Sequence, residues 1–389
     1  MSAVRARWLR LSAMTVTLLF LFVAVIALVT ILTDPYQMDF VAYWAAARLA
    51  VEANPAGAYH IELHRAVELG AIPLRGALPF AYPPCFLLLL APFGWLAYPV
   101  AAFDWVLLTF AAYGAALRKW APGGSWLALS FPPVLVNAIT GQSGFLIAAL
   151  LIAGLVLLPK RPMLAGLVLG LLVVKPQLGL VLPIALLAGR EWRAIVGAAA
   201  SAFGLILLSL LAFGVGPWQD WLANAAFYTA IAGEGLAGWH RMASVYGALR
   251  LAGLAAGPAL ALHAAVALAA AAAAAFVWYR RPEIGLRAAA LAAATALASP
   301  YLFIYDTLIL VVPFLWLVER ARHGALVALG WAVLFLALVQ MLGWSGGPNL
   351  TPLAAMIFLA LVILDARQER GLSASVSETE PLPRAAGLG

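Results

Sequence analysis

The stretch TDPYQMDFVAYWAAARLAVEANPAGAY, residues 33–59, decides how the rest of the chain is interpreted. It follows the first apolar run of membrane length, residues 11–32, and it begins where that helix is expected to leave the bilayer. Two carboxylates, Asp34 and Asp39, lie at this exit. Ionisable groups at the edge of a spanning segment are functional candidates. We therefore expect the chemistry of the protein in this stretch.

Composition identifies the class of protein. Of 389 residues, 65% are hydrophobic and 10% are charged, whereas soluble domains have about 45–50% apolar residues. The mean hydropathy of +1.00 agrees, so the sequence predicts an all-α polytopic membrane protein. The net charge is +7, but the sequence has no basic stripe with interleaved aromatic residues, which argues against nucleic-acid binding. The single cysteine, Cys85, excludes an internal disulfide and leaves the redox compartment open.

The apolar runs predict about twelve membrane crossings. Arg5, Arg7 and Arg10 precede the first run and no small-residue cleavage site follows it, so we expect an uncleaved helix with a cytoplasmic N-terminus. A further stretch, residues 126–139, is broken by a proline pair and is too short to cross. The apolar runs after the first are 80–97, 98–117, 145–158, 163–174, 178–187, 194–213, 258–279, 288–297, 302–318, 325–342 and 350–364. Several of them are shorter than the ~20 residues of a full span.

Two long loops and a tail complete the predicted organisation. Residues 33–79 form a first outer loop with one or two interfacial helices, because aromatic and apolar residues recur there at helical spacing between charges. Residues 214–257 form a second outer loop. The membrane domain covers residues 1–367. Residues 368–389 have lost all apolar periodicity and are predicted as a disordered cytoplasmic tail.

The distribution of cations supports this orientation. With both loops outside, 15 of the 23 lysines and arginines lie on the inner face, and the eight on the outer face are balanced by eight acids. The assignment requires that residues 126–139 do not cross. It also leaves Arg118 and Lys119 outside, against the general trend.

Polar residues from distant parts of the chain gather at this predicted outer face. One outward-facing cavity would account for them, and ionisable groups in such positions are functional candidates. The candidates are Asp39, Tyr82, Gln142, Lys175, Gln177, His240, Arg241, Arg250, Tyr305 and Asp306.

The residue types favour transfer from a lipid-phosphate donor. A partly desolvated carboxylate such as Asp39 has a raised pKa and can take a proton from a hydroxyl. Glycoside hydrolysis usually needs a second acid for its leaving group, whereas a phosphate leaving group needs cations. Lys175, Arg241, Arg250 and His240 are the cationic candidates for that role.

Structural interpretations stand beside the functional ones. Asp34 and Asp39 are both suitable N-caps for interfacial helices. Lys175, followed by proline, also fits a lysine whose ammonium reaches the interface from a helix break. His60 and His64 are spaced i and i+4 but lack the glutamate of an H-E-x-x-H zinc motif, so we predict no metal and no cofactor.

Five segments together resemble a known family. They are DFVAYWAAARLA from residue 39, AYPPCFLLLLAPF from residue 81, NAITGQSG from residue 137, VKPQLGLVLPIALLAGREWR from residue 174 and SPYLFIYD from residue 299. In order and spacing they resemble glycosyltransferase family 87, formerly a domain of unknown function (DUF2029). This family lies within the GT-C superfamily of polyprenol-phosphate-dependent membrane enzymes. The resemblance extends to about residue 365.

The resemblance implies a GT-C fold with about seven core helices, long outer loops at residues 33–79 and 214–257, and a catalytic acid matched by Asp39. It implies inverting transfer of a sugar from a polyprenyl-phosphate donor to a lipid or glycan acceptor, at the outer face of the cytoplasmic membrane. Similarity to phosphatidylinositol-mannoside mannosyltransferase points to mannose. The segment from His240 to Ser244 departs from the family pattern. A flippase or transporter for a lipid-linked or anionic substrate, or a non-catalytic scaffold, is the alternative.

Overall fold

The computed structural model describes residues 39–379, with gaps at 75, 77, 237, 281–282 and 342–346. The predicted N-terminal helix at 11–32, Asp34 and residues 380–389 lie outside this range. In the described part the chain is helical and forms no β-strand. The helices are α1 (Phe40–Val51), α2 (Ile61–Ala71), α3 (Cys85–Gly94), α4 (Tyr98–Trp120), α5 (Pro132–Thr140), α6 (Gly144–Leu157), α7 (Pro162–Gly170), α8 (Val181–Ala188), α9 (Trp192–Phe213), α10 (Gly216–Ala223), α11 (Ala225–Gly233), α12 (Val245–Leu251), α13 (Ala256–Arg280), α14 (Ile284–Ala298), α15 (Val311–Glu319), α16 (Gly324–Met341) and α17 (Thr351–Thr379).

Four of the described helices are long and apolar enough to span a membrane, which supports the membrane class but does not confirm twelve crossings. They are α4, α9, α13 and the part of α17 from Thr351 to Gln368. The other apolar segments are shorter helices. α17 continues to Thr379, beyond residue 368, where the sequence analysis places the start of the tail.

Prolines explain why apolar runs became short helices. The residue before a proline is disfavoured in the α conformation, and proline supplies no backbone N–H. At Lys175, which precedes Pro176, the backbone has φ −140° and ψ 72°, and 3-10 segments stand on either side of it. Residues 126–139 are divided in the same way at Phe131, into the 3-10 segment Ser125–Ser130 and the nine-residue α5. That stretch therefore does not form one continuous helix.

Close helix contacts hold the site region. α1 packs along α3 at Gly94, where an added Cβ would collide with the backbone of Ala47. α14 is buried along most of its length, and its alanines permit close approach of the surrounding helices. α5 is also almost wholly buried. The short helices next to the site are thus fixed by packing inside the bundle.

The two long loops meet on one side of the bundle. Asp220 Oδ2 on α10 lies 3.2 Å from His60 Nε2, and Asn224 Nδ2 donates to the Tyr59 carbonyl at 3.1 Å. Trp221 Nε1 donates to the carbonyl of Ala81 at 3.1 Å. The described parts of the two loops, within residues 39–79 and 214–257, therefore meet on one face of the protein.

Ion pairs lie at the opposite ends of the helices. Arg287 pairs with Glu191 at 2.6 Å, Arg322 pairs with Asp365 at 3.6 Å, and Arg320 pairs with Glu283. Glu191 directly precedes α9, a helix of 22 residues that spans about 33 Å before the second loop begins. These three arginines belong to the set assigned to the inner face.

Candidate active site

Asp39 directly precedes α1, but its side chain does not cap the helix. Instead, Asp39 Oδ2 accepts a hydrogen bond from Gln142 Nε2 at 3.1 Å. An N-cap carboxylate would accept from a backbone N–H of the first turn. The interpretation of Asp39 as a helix cap is therefore wrong, and its carboxylate is directed to a side chain from another part of the fold.

The local environment tunes the Asp39 carboxyl. Burial raises its pKa above the ordinary value of 3.8, while the Arg241 guanidinium and the Gln142 hydrogen bond act in the opposite direction. The residue is nevertheless partly exposed, whereas Gln142 is buried. A carboxylate that is partly desolvated and still accessible has the properties of a general base.

The turn between α5 and α6 positions Gln142. Gly141 has φ 65°, a conformation that favours glycine, and its carbonyl accepts from Trp105 Nε1 at 2.9 Å. At Gly144 an added Cβ would collide with Asn137 and with the Tyr305 backbone. The GQSG sequence thus places an amide side chain at a tightly packed corner.

Two tyrosines extend the contact from Gln142. Tyr43 Oη lies 2.5 Å from Gln142 Oε1 and 2.5 Å from Tyr82 Oη. Tyr82 Oη also lies 3.3 Å from Ser143 Oγ, and Lys175 Nζ donates to Tyr82 Oη at 3.2 Å. The hydroxyls therefore form a continuous chain between Lys175 and Gln142.

This chain has one consistent direction when Asp39 is ionised. A carboxylate only accepts, so Gln142 must turn its NH₂ group to Asp39 and its carbonyl to Tyr43. Tyr43 then donates to Gln142, Tyr82 donates to Tyr43, and Lys175 donates to Tyr82. The order fixes the Gln142 amide in the orientation that stabilises the Asp39 carboxylate.

Lys175 and Asp306 form a buried ion pair at the far end of this chain. Lys175 Nζ lies 2.6 Å from Asp306 Oδ1, and the two residues are 2% and 1% exposed. The ammonium also lies 4.8 Å from the centre of the Tyr305 ring, and Asp306 Oδ2 accepts from the Phe303 backbone N–H at 3.3 Å. The Lys175 charge is thus already balanced inside the protein.

Arg241 provides positive charge next to Asp39. Its segment is held to residues 300–303, since the Ala243 N–H donates to the Leu302 carbonyl at 2.7 Å and Ser244 Oγ donates to the Pro300 carbonyl at 2.6 Å. The Arg241 side chain is exposed, and within the described residues its guanidinium has neither a hydrogen bond nor an ion pair. It is free to contact an anionic ligand.

Three sequence candidates lie outside this network. Arg250 donates to the carbonyls of Leu254 at 2.7 Å and Gly233 at 3.2 Å, so its guanidinium holds the second loop together. His240 is next to Arg241. Partial burial, and to a smaller extent the Arg241 charge, lowers the pKa of His240 from 6.5. Gln177 is half-buried and has no hydrogen-bond partner among the described residues.

The network also contains two residues that the sequence did not single out. Tyr43 lies one helical turn after Asp39, at a position interpreted as part of the apolar face of α1. Ser143 is in the NAITGQSG segment, next to Gln142. Among the described residues, no group of three or more His, Cys, Asp or Glu side chains is placed to hold a metal ion.

Residues 80–300 match the family model described as Glycosyltransferase family 87. The chain belongs to glycosyltransferase family 87. Comparison with curated proteins and with solved structures gives no match. The family 87 match includes Tyr82, Gln142, Lys175 and Arg241, whereas Asp39 lies before it and the SPYLFIYD segment ends after it. This family 87 member is a membrane-embedded glycosyltransferase, with a sugar donor and an acceptor as substrates.

Proposed function

We propose that the protein transfers a sugar, with mannose as the expected unit, from a polyprenyl-phosphate donor to a hydroxyl of a lipid or lipid-linked glycan. The transfer inverts the anomeric centre and takes place at the outer face of the cytoplasmic membrane. The observation that supports this most strongly is the Asp39–Gln142 hydrogen bond, at 3.1 Å, which holds a partly exposed carboxylate. Family membership supplies the reaction class.

Asp39 acts as the general base in this proposal. Oδ2 is occupied by Gln142, while Oδ1 has no hydrogen-bond partner among the described residues and is available to the acceptor hydroxyl. Oδ1 takes the hydroxyl proton as the acceptor oxygen forms its bond to the anomeric carbon. The bond from that carbon to the phosphate oxygen breaks on the opposite face, and its electron pair leaves with the phosphate. The raised pKa makes Asp39 a stronger base.

The leaving phosphate needs positive charge, and Arg241 is the best placed cation. Its guanidinium is exposed, makes no ion pair or hydrogen bond within the described residues, and acts on Asp39 only through its charge. Arginine binds phosphate through two parallel N–H groups. Lys175 would have to leave a buried carboxylate to contact the donor, so we assign it to holding Tyr82 and, through Tyr43, Gln142. Tyr305 covers the Lys175 ammonium.

The outward orientation of the site is inferred from the distribution of charge. The site lies on the face where the two long loops meet, and most lysines and arginines are assigned to the opposite ends of the helices. Cytoplasmic segments of membrane proteins carry such an excess of cations. Transport of a lipid-linked substrate is the alternative from the sequence. A cation at a helix break, such as Lys175, occurs in transporters, but here that charge is neutralised by Asp306, and the family is one of glycosyltransferases.

The decisive experiment for the reaction is turnover by the purified protein in proteoliposomes. Polyprenyl-phosphate mannose and glucose are supplied separately, with an extract of bacterial lipids as acceptor, and the lipid products are identified by mass spectrometry. We expect a glycolipid heavier by one hexose, with free polyprenyl phosphate as co-product. Absence of both products with every donor would contradict the proposed function.

A further inference from the structure

A cavity lies where the two long loops meet, and Asp39 is not among its lining residues. Its volume is about 400 Å³, within the range of pockets that bind small molecules. Tyr59, His60 and Phe80 line it from the first loop and the segment that follows. Asn224, Phe227 and Tyr228 line it from the second loop. The seam between the loops is therefore an open pocket rather than a closed contact.

The pocket shares a wall with the Asp39 network. Phe80 is 1% exposed, and its ring centre lies 5.6 Å from that of Tyr82 and 6.4 Å from that of Tyr43. Tyr59 Oη donates to the Tyr82 carbonyl at 3.0 Å. One layer of aromatic side chains thus separates the pocket from the residues that orient Gln142.

The lining combines apolar ring faces with hydrogen-bonding groups. His60 Nε2 lies 3.2 Å from Asp220 Oδ2 at the rim, and these side chains are 55% and 32% exposed. His64 lines the pocket too, is itself fully buried, and neither of its ring nitrogens makes a hydrogen bond within the described part, although Nε2 lies 3.4 Å from Glu68 Oε1. Hydroxyl-rich ligands with apolar C–H faces match such a surface.

Charge and hydrogen bonding argue against a phosphate group and a lipid tail as occupants of this pocket. Among the lining residues that the structure describes there is no lysine or arginine, and the Asp220 carboxylate at the rim repels a phosphate. A lipid tail would offer no hydrogen bond to the His64 ring nitrogens, which make none within the described part, whereas a sugar hydroxyl would satisfy them. We propose that this pocket binds a neutral sugar unit of the acceptor, which rests on the proposed transferase reaction. The phosphate donor approaches instead from the Arg241 side.

Two variants and a matched control test the sugar site. His60→Ala removes a rim hydrogen-bonding group, and Phe227→Ala removes a ring that is 44% exposed. Leu236→Ala is the control, since it truncates an exposed apolar residue of the same loop that does not line the pocket. Saturation-transfer NMR with methyl α-mannoside and α-1,6-mannobiose measures binding to each full-length protein in detergent. The same measurement on Asp39→Asn separates binding from turnover.

The expected result is sugar binding by the wild type, Leu236→Ala and Asp39→Asn proteins, with at least tenfold weaker binding by His60→Ala and Phe227→Ala. In turnover assays the two pocket variants raise the acceptor KM at least tenfold and leave the donor KM unchanged. Equal binding by all variants, no binding by the wild type, or displacement of the sugar by polyprenyl phosphate alone would overturn the proposal. Sugar binding without any transfer would contradict the proposed function and leave the sugar pocket standing.

Discussion

Asp39 and Gln142, which are 103 residues apart in the chain, meet through a 3.1 Å hydrogen bond from Gln142 Nε2 to Asp39 Oδ2. The bond joins the start of α1 to the turn between α5 and α6 and connects the carboxylate to the buried Lys175–Asp306 pair through two tyrosines. A partly exposed base is thus held by a buried polar chain.

Gln142→Leu should lower kcat and move the acid limb of the pH–rate profile to higher pH. The Asp39 base works only when ionised, so the rate is lost as pH falls through its pKa. The Gln142 hydrogen bond lowers that pKa. Its removal therefore raises the pKa and moves the acid limb to higher pH. The measurement is kcat/KM against pH. Gln219→Leu, at an exposed position on α10, is the control, and an unmoved limb in Gln142→Leu would contradict the tuning.

Arg241→Ala should raise the donor KM and shift the same acid limb upward. A hydrogen bond between charged groups contributes about 1.5–3 kcal/mol, so at least a tenfold loss in donor kcat/KM is expected. Loss of the guanidinium also removes a charge that lowers the Asp39 pKa. Arg65→Ala is the control, because Arg65 is an exposed cation of the first loop. An effect on the acceptor KM alone would show that Arg241 does not contact the donor phosphate.

Tyr43→Phe tests the hydroxyl chain with little change in packing. The ring contacts remain, but Gln142 loses the donor that fixes its amide, so kcat should fall about tenfold with substrate KM values nearly unchanged. Tyr113→Phe is the matched control, since Tyr113 is 1% exposed and its hydroxyl has no hydrogen-bond partner in the described part. Equal activity of the two variants would remove Tyr43 from the site.

The Lys175–Asp306 pair should behave as a coupled structural unit. Lys175→Met leaves an uncompensated buried carboxylate, and removing one partner of such a pair costs about 3–5 kcal/mol. Each single variant should therefore lower the Tm of the purified protein, and the double variant Lys175→Met, Asp306→Leu should recover most of the loss. Thermal unfolding in detergent measures this. Additive losses in the double variant would show that the two side chains do not act as a pair.

Much of the site could be predicted because polar residues within apolar sequence are informative. Asp39, Tyr82, Gln142, Lys175 and Asp306 stand out against their neighbours, and the fold brings them together. Tyr43 was missed, since a tyrosine at helical spacing among apolar residues looks like part of a packed face. Its hydroxyl has a role only because two distant segments meet it.

Other features depend on contacts that the sequence does not contain. Arg250 and Arg241 are equivalent in the sequence as cations of one loop. In the structure the Arg250 guanidinium donates to the carbonyls of Gly233 and Leu254, whereas the Arg241 guanidinium has no hydrogen-bond partner among the described residues. Hydropathy also counts apolar length and not helix continuity. The predicted run 302–318, for example, is divided into the 3-10 segment Ile304–Leu310 and the nine-residue α15.

Turnover of polyprenyl-phosphate sugar by Asp39→Asn is the most direct measurement of the central claim. The amide keeps the shape of the carboxylate but accepts no proton, and loss of a general base removes about 10²–10⁴ in rate. We predict that kcat falls at least a hundredfold while donor binding, membrane insertion and Tm stay close to wild type, and that Asp34→Asn, a carboxylate from the same stretch, remains active. Near wild-type turnover by Asp39→Asn would contradict the assignment of Asp39 as the base.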